Sequence, residues 1–398
     1  MSRDLYDSLS VSQLTGVLGK KWTTFPGCIG AFIAEMDYGT APVVQDELRT
    51  AVESGFFGYV PYAKFDELAE ATQSWYRDET GWEVPVSRIH AISEVLYGLE
   101  LAIQRFSRPG SKVIIPTPAY MPFLSLPTYL GREVVQVPLV VHDGRWEYDY
   151  DALEAAFADN GGLLVLCNPS NPTGRVLERD ELVRISEIVD RYDGRVFADE
   201  VHAPLIFPGQ THIPYASISA VTAGHTITSI AATKAWNIAG LKCAQLITSN
   251  DADEEIWKGI APFALGPSTL GVVTSIAAYN HARPWLQDVV DYLDGNRKVL
   301  ADVVAEYLPG ARYIVPEGTY LAWIDLRDLG LRGDLGYFFR EHAEVAVVDG
   351  RACGEVGEGF VRFNFAMPQS LVGRAIRQMG EAVARTRGTT ATPAVVTT

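Results

Sequence analysis

Lys234 is the residue whose surroundings point most directly to chemistry. It follows an apolar, β-prone segment, Thr226–Ile230, and Gly240 supplies backbone freedom before a second cation, Lys242. A lysine sheltered from water loses its proton more easily and can then condense with an aldehyde to form a Schiff base. We therefore interpret Lys234 as an aldehyde-capturing lysine. Taken alone, a lysine after a strand is more often a solvated surface charge.

Two further polar motifs come directly after apolar segments of strand length. Segment 163–167 precedes Asn168-Pro169-Ser170-Asn171-Pro172-Thr173-Gly174, and segment 196–198 precedes Asp199-Glu200-Val201-His202. Read alone, the first motif is a turn, because Asn-Pro and Thr-Gly favour turns. Open α/β sheets bind their ligands beyond the carboxyl ends of the strands. We therefore expect both motifs to lie near Lys234.

These side chains suit a heteroaromatic aldehyde that carries a phosphate. Its ring withdraws electrons only while the ring nitrogen is protonated, and a fixed carboxylate, Asp199, would keep it so. The Asn171 amide can donate to a phenolic oxygen beside the aldehyde, and Tyr120 can stack on the ring. Arg362 can clamp a substrate carboxylate with two parallel hydrogen bonds. The candidates for binding the phosphate are a cation, a hydroxyl and a helix start: Lys242, Thr233, Glu94, Val95 and Leu96.

The elements that must position these residues alternate in type. Apolar runs of strand length are separated by segments of helical periodicity, such as 149–157 and 180–192. This alternation predicts an α/β fold with a buried, mostly parallel sheet and helices on both faces. The predicted strands are 113–115, 134–137, 163–167, 196–198, 226–230 and 245–248, and a helix is predicted from Pro42 to Gly55.

The carboxyl-terminal part predicts a second, smaller α+β domain. A long helical pattern over 286–307 ends before Pro309-Gly310, and we expect this helix to link two domains. Strand candidates follow at 313–315, 320–326, 345–348 and 360–365. We expect an N-terminal arm at 1–40 that belongs to the small domain, a large domain at 41–283, the small domain at 284–386 and a flexible tail at 387–398.

Bulk properties limit the class of protein. The chain has 398 residues, 47% hydrophobic and 21% charged, which is ordinary for a globular enzyme. Its net charge of -16 disfavours nucleic acid as a partner. No apolar run is long enough to span a bilayer and segment 1–7 lacks the core of a signal peptide, so we expect a cytoplasmic protein. The scattered cysteines are interpreted as buried free thiols: Cys28, Cys167, Cys243 and Cys353.

The motifs together resemble the fold-type I pyridoxal phosphate enzymes of the class I and II aminotransferase superfamily. The resemblance is carried by Asn171-Pro172-Thr173-Gly174, Asp199, Lys234 and Arg362, in that order. Within the superfamily the chain is similar to the cystathionine β-lyase-type C–S lyases, called MalY/PatB-like, through segments 34–38, 57–59, 118–123, 167–175, 199–202 and 234–241. The resemblance covers nearly the whole chain except the tail. It implies pyridoxal 5'-phosphate as cofactor, a large domain built on a mostly parallel, seven-stranded type of sheet, and a smaller α+β domain.

The resemblance also implies a reaction and an assembly. The reaction is β-elimination from L-cystathionine or a related L-cysteine thioether, giving a thiol, pyruvate and ammonia, with Lys234, Asp199 and Tyr120 as the catalytic residues. The assembly is a homodimer in which Tyr59 of one chain reaches the phosphate held by the other. A cis Asn171-Pro172 bond is implied too, and His202 takes the place of a tyrosine beside the cofactor oxygen.

Three positions depart from the family pattern. Ala231 stands where related enzymes have a serine three residues before the lysine, so the phosphate must rely on Thr233, Ser229 or backbone donors. Glu94 stands where many relatives have a small residue, and we expect its carboxylate to point away from the phosphate. Met121 replaces a residue that is often aromatic in the C–S lyases.

The sequence leaves alternatives open. An aminotransferase would use the same residues, and a regulatory protein could keep the fold and act through a partner. Asp199-Glu200-Val201-His202 also matches the DExH box of helicases, but no P-loop lies upstream. A metal site built from Asp199, Glu200, His202 and His212 lacks regular ligand spacing. The motifs do not determine which thioether is the physiological substrate.

Overall fold

The chain forms two compact units. The computed structural model describes the backbone of residues 3–389 and the side chains of residues 5–386. Residues 39–290 and 317–319 make up the large unit, and the other described residues make up the small unit. The second boundary lies at 290/291, within a helix, whereas we predicted 283/284. Of the predicted tail at 387–398, residues 390–398 lie outside the described residues.

Within residues 3–389, strands and helices alternate along the large unit, and the small unit contains both types as well. The strands are β1 (Ile29–Gly30), β2 (Ile89–Ile92), β3 (Lys112–Thr117), β4 (Val134–Pro138), β5 (Val140–His142), β6 (Arg145–Glu147), β7 (Gly161–Cys167), β8 (Arg195–Asp199), β9 (Thr226–Ile230), β10 (Ala244–Thr248), β11 (Arg312–Tyr313), β12 (Leu321–Asp325), β13 (Val345–Ala346), β14 (Val348–Asp349) and β15 (Phe360–Asn364). The helices are α1 (Arg3–Asp7), α2 (Val11–Gly16), α3 (Lys20–Thr23), α4 (Pro42–Glu53), α5 (Tyr62–Thr80), α6 (Val95–Arg105), α7 (Met121–Tyr129), α8 (Tyr150–Ala158), α9 (Arg179–Arg191), α10 (Ala220–His225), α11 (Asp251–Ile260), α12 (Thr269–His281), α13 (Arg283–Tyr307), α14 (Leu335–Ala343) and α15 (Gln369–Thr389).

A seven-stranded sheet forms the centre of the large unit, in the order β2-β10-β9-β8-β7-β3-β4. Strands β9, β8, β7, β3 and β4 pair in parallel, and β10 runs antiparallel to both β9 and β2. The mostly parallel sheet is therefore confirmed. The carboxyl ends of β2, β3, β7, β8 and β9 lie at the same edge as the amino end of β10. The prediction omitted β2, a four-residue strand that contains the polar His90.

Helices cover both faces of this sheet. On one face, buried side chains of α6, α7 and α11, such as Leu99, Phe123 and Trp257, pack on alternate residues of the central strands. On the other face, α8 and α9 contribute side chains such as Leu153 and Leu182. Strands β3, β7 and β8 are thus apolar on both sides, which explains their continuous apolar runs in the sequence.

Gly98 fixes how closely α6 approaches the sheet. A Cβ atom at this position would lie 2.9 Å from the Ser229 Oγ of β9, which is closer than real Cβ atoms come. The absence of a side chain therefore lets α6 lie directly against β9, and this contact fixes where the first residues of the helix stand.

The small unit contains a four-stranded antiparallel sheet in the order β11-β12-β15-β14, and β1 pairs in parallel with β13. The strand predicted at 345–348 is wrong in one respect, because β13 and β14 belong to different sheets. The strand predicted at 313–315 is shorter and begins earlier, as β11. No helix in residues 3–389 is both long and apolar enough to span a membrane.

Candidate active site

The carboxyl ends of four neighbouring strands bring the predicted residues of the large unit to one edge of the sheet. Asp199 is the last residue of β8, and Asn171 lies in the loop after β7. Lys234 lies in the turn after β9, and Tyr120 precedes α7 in the connection from β3. The strand register places Asp199 between Cys167 of β7 and Ser229 of β9. Residues that are far apart in the sequence therefore share one edge.

Asp199 is a buried carboxylate with few hydrogen bonds of its own. The backbone N–H of Val201 donates to its Oδ1 at 3.0 Å, and the Cys167 thiol lies 3.9 Å from its Oδ2. Burial raises the pKa of Asp199 to about 6, while the Val201 hydrogen bond and the charge of Lys234 act in the opposite direction. A cation placed against this carboxylate would therefore be stabilising.

The loop after β7 has an unusual backbone. The Asn168–Pro169 and Asn171–Pro172 peptide bonds are both cis, which confirms the cis bond predicted at Asn171. Within the loop, the N–H of Ser170 donates to the carbonyl of Arg175 at 2.9 Å, and the N–H of Gly174 donates to the carbonyl of Ser170 at 2.8 Å. The loop is closed on itself by these bonds, which holds the buried Asn171 in place.

Glu317, which is distant in the sequence, forms hydrogen bonds with this loop. Its Oε2 accepts hydrogen bonds from Arg175 Nη1 at 2.6 Å and from the N–H of Val176 at 2.9 Å. The carbonyl of Gly174 accepts from the N–H groups of both Glu317 and Gly318, at 2.9 Å each. The sequence did not identify Glu317, since nothing local distinguishes it from a surface glutamate.

Glu200 and His212 belong to a separate buried network. Glu200 accepts hydrogen bonds from the Tyr76 hydroxyl at 3.0 Å and from the Tyr215 N–H at 2.9 Å, and the Nε2 atom of His212 lies 3.1 Å from it. His202 is buried. No group of three His, Cys, Asp or Glu side chains within the described residues is arranged to hold a metal ion. Glu200 therefore contributes hydrogen bonds that fix the chain after β8.

The beginning of α6 and Lys242 meet at the same edge. Glu94 immediately precedes α6, and its carbonyl accepts from the N–H groups of Tyr97 and Gly98. Lys242 lies just before β10 with a φ of 49°, and its Nζ is 2.5 Å from Glu94 Oε2. The Glu94 carboxylate therefore forms an ion pair with Lys242, one of the residues predicted to bind the phosphate. The predictions that Lys242 binds the phosphate and that Glu94 points away from it stay predictions.

The two hydroxyls proposed to replace the missing serine differ. The hydroxyl of Ser229 is fully buried in β9 and donates to the carbonyl of Gln245 at 3.2 Å, so it is committed to the sheet. Thr233 is half-buried beside Lys234, and its carbonyl accepts the N–H of Ile238 at 3.0 Å. Of the two, Thr233 is the one placed in the turn that carries Lys234.

Two further residues, Tyr59 and Arg362, were predicted for the site. Tyr59 is fully exposed in the connection between α4 and α5. Arg362 belongs to β15 of the small unit, where it is buried and its Nη2 donates to the carbonyl of Phe32 at 2.8 Å. Their roles stay predictions.

Comparisons with known proteins define the family. The model of the family "Aminotransferase class I and II" matches residues 32–379. The chain belongs to this family. Among its relatives, a cystathionine β-lyase of Corynebacterium glutamicum is 36% identical over 364 residues, which are 90% of this chain and 95% of that protein.

Solved structures of similar proteins share the fold. A protein of Corynebacterium diphtheriae assigned as a PLP-dependent β-cystathionase superposes with a TM-score of 0.89 at 38% identity, over 94% of this chain and 98% of that one. Cystalysin of Treponema denticola, whose structure contains pyridoxal 5'-phosphate, gives 0.85 at 28% identity, over 97% and 98%. The resemblance drawn from the motifs and the predicted pyridoxal phosphate-dependent transferase fold are confirmed.

Proposed function

We propose that this protein is a pyridoxal phosphate-dependent C–S β-lyase that cleaves L-cystathionine or a related L-cysteine thioether to a thiol, pyruvate and ammonia. The observation that carries the proposal is the buried Asp199 carboxylate at the strand edge that also bears Lys234, in a chain 36% identical to a cystathionine β-lyase. The carboxylate and the lysine are the two groups that a pyridoxal-dependent reaction requires.

The residues present fit the cofactor. Burial raises the pKa of Asp199 to about 6, so the carboxylate favours a positive partner, and a protonated pyridine nitrogen is one. The side-chain amide of Asn171 is a donor suited to the phenolic oxygen. N–H groups at the start of α6 and the cation Lys242 suit a phosphate.

The bound cofactor supplies an aldehyde that takes up the substrate amine and a ring that accepts electron density from Cα. Lys234 Nζ would remove the Cα proton and later deliver a proton to the departing sulfur. The aminoacrylate that is released would then react with one water molecule to give pyruvate and ammonia. Asp199 would hold the ring nitrogen in its protonated form. Tyr120 would stack on the ring, and Arg362 would hold the α-carboxylate so that the Cα–H bond is oriented for cleavage.

An aminotransferase is the second candidate, because the family model that matches the chain carries that name. The same residues would serve, with the Cβ–S bond of the substrate left intact. The two functions therefore differ in their products rather than in Lys234, Asp199 or Asn171.

Purified holoprotein incubated with L-cystathionine and no keto acid separates the candidates. Pyruvate released in step with a free thiol supports the lyase, and pyruvate formation should be lost in Lys234→Ala. Product formation that depends strictly on an added keto acid would overturn the lyase in favour of the aminotransferase.

We further propose that the protein acts in the cytoplasm as a homodimer with shared active sites. The fully exposed Tyr59 supports this assembly, together with the exposed aromatic side chains Phe57 and Tyr62 on either side of it. Sedimentation of the holoprotein should give the mass of two chains. Tyr59→Phe should weaken cofactor binding without dissociating the dimer, since it removes one hydroxyl only.

A further inference from the structure

Glu94 and Lys242 form an ion pair at the start of α6. Lys242 Nζ lies 2.5 Å from Glu94 Oε2, and the two side chains are 56% and 47% exposed. The Lys242 backbone is anchored independently of this pair, because its carbonyl accepts the N–H of Ser268 at 2.9 Å. Both side chains can therefore exchange partners without moving the backbone of Lys242.

The Glu94 carboxylate does not cap the helix that it precedes. No hydrogen bond joins it to an N–H group of α6, although the first N–H groups of a helix have no partner within it. The eleven-residue helix α6 carries a partial positive charge at this end, which attracts anions. Glu94 thus places a negative charge against Lys242 and next to the start of α6, the two features to which the proposed function assigns the cofactor's phosphate.

We propose that Glu94 lowers the affinity of this protein for its cofactor, because its carboxylate competes with the phosphate for Lys242 and repels it at the start of α6. This inference rests on the proposed function, since it presupposes pyridoxal phosphate. When the phosphate binds, Lys242 exchanges the carboxylate for the phosphate, and the displaced carboxylate turns toward solvent. The protein then exchanges its cofactor with the surroundings more readily than the same chain without this charge.

The test compares two charge-removing substitutions on the same stretch of chain. Glu94→Gln keeps the size of the side chain and removes its charge. Glu100→Gln is the matched control, because Glu100 lies further along α6, where its Oε1 accepts a hydrogen bond from Gln104 Nε2 at 3.4 Å. Dissociation constants are measured by equilibrium dialysis at low ionic strength for wild type and both variants, with pyridoxal phosphate and, separately, with pyridoxal, which lacks the phosphate.

We expect Glu94→Gln to bind pyridoxal phosphate about fivefold more tightly than wild type, given the usual size of surface ion-pair and helix-end effects. Glu100→Gln should stay within about twofold. Pyridoxal should bind wild type and Glu94→Gln equally, because the competition concerns the phosphate. High salt should reduce the difference between the two proteins.

Unchanged or weaker binding of pyridoxal phosphate by Glu94→Gln overturns the inference, and so does an equal gain in affinity for pyridoxal. Only the inference fails if Glu94→Gln gives either of these results while wild type binds the cofactor through Lys234. If neither protein binds pyridoxal phosphate, the proposed function fails and the inference with it.

Discussion

Arg175 Nη1 donates a hydrogen bond to Glu317 Oε2 at 2.6 Å, and this contact joins the loop that carries Asn171 to a residue 142 positions further along the chain. Arg175 is only 5% exposed, so its charge depends on its partners. Glu317→Ala should therefore destabilise the protein by about 2–4 kcal/mol, because it leaves a buried guanidinium with one acidic partner fewer. Urea unfolding of the cofactor-free protein measures this loss.

Glu255→Gln is the control for that experiment. Glu255 is an exposed partner of Lys258 on α11, so its substitution should change the free energy of unfolding by less than about 1 kcal/mol. Glu317→Ala should also weaken pyridoxal phosphate binding, since the Asn171 loop loses its anchor. If the unfolding free energy of Glu317→Ala equals that of wild type, the contact between Glu317 and Arg175 does not stabilise the loop.

Asp199→Asn should stabilise the cofactor-free protein at neutral pH. Burial raises the pKa of Asp199 from 3.8 to about 6, so its contribution to stability is fully present below pH 3.8 and is lost as the pH rises through 6. This loss amounts to about 3 kcal/mol at pH 7.5, and asparagine, which does not titrate, avoids it. Melting temperatures of the cofactor-free proteins should differ most above pH 6 and converge toward pH 4.

Asp199→Asn should be more stable than wild type without the cofactor, but it should bind and use the cofactor less well. Asparagine cannot hold a proton on the pyridine nitrogen by charge, so Asp199→Asn should bind pyridoxal phosphate more weakly and lose most of its turnover. The same substitution would then raise stability and lower activity, as expected for a charge kept for function. A cofactor-free Asp199→Asn that is no more stable than wild type at pH 7.5 contradicts this account.

Lys234→Ala should abolish pyruvate release from L-cystathionine, by a factor of about 10³ or more, because both the aldehyde capture and the Cα proton transfer are assigned to its Nζ. Lys234→Arg is the matched comparison. It keeps a positive charge near Asp199 but presents a guanidinium, which stays protonated and cannot act as the base. We expect both variants to be inactive, and normal pyruvate release by Lys234→Ala would refute the assignment.

The sequence predicted which residues lie at one edge of the sheet, but it did not predict the contacts made by Glu317 and Glu94. Asp199, Asn171 and Lys234 could be grouped because buried parallel strands read as continuous apolar runs and their carboxyl ends share one edge. Glu317 could not be found in this way, since its contact with Arg175 depends on the folding back of a distant segment. The Glu94–Lys242 pair was likewise missed, because the direction of a side chain does not follow from the spacing of residues.

The short strands of the small unit show the same limit. Segment 345–348 has the composition of one strand, but β13 pairs with β1 and β14 pairs with β15. The division between two sheets depends on which partners are available in space, and the sequence of the segment does not contain that information.

Lys21 forms a buried ion pair in the small unit with Asp37, which belongs to the segment 34–38 that carries part of the family resemblance. Lys21 Nζ lies 3.1 Å from Asp37 Oδ2, and both side chains are 3% exposed. Burial lowers the pKa of Lys21 and raises that of Asp37, so each charge is stabilised mainly by the other and by neighbouring donors and acceptors. The Trp22 Nε1–H donates to Asp37 Oδ1 at 2.8 Å, and Lys21 Nζ donates to the carbonyl of Ala366 at 2.9 Å.

Lys21→Met should therefore cost about 3–5 kcal/mol of unfolding free energy, because it leaves the Asp37 carboxylate buried without its cation. The double variant Lys21→Met, Asp37→Asn should recover part of this loss, since the remaining amide is neutral and still accepts the hydrogen bond from Trp22. Lys20→Met, at the exposed neighbouring lysine, serves as the control and should change stability by less than about 0.5 kcal/mol. Urea unfolding of wild type, Lys21→Met, Asp37→Asn and the double variant measures the coupling between the two charges. If the double variant is as unstable as the sum of its single variants predicts, the pair is not coupled and the segment 34–38 is held by its backbone contacts instead.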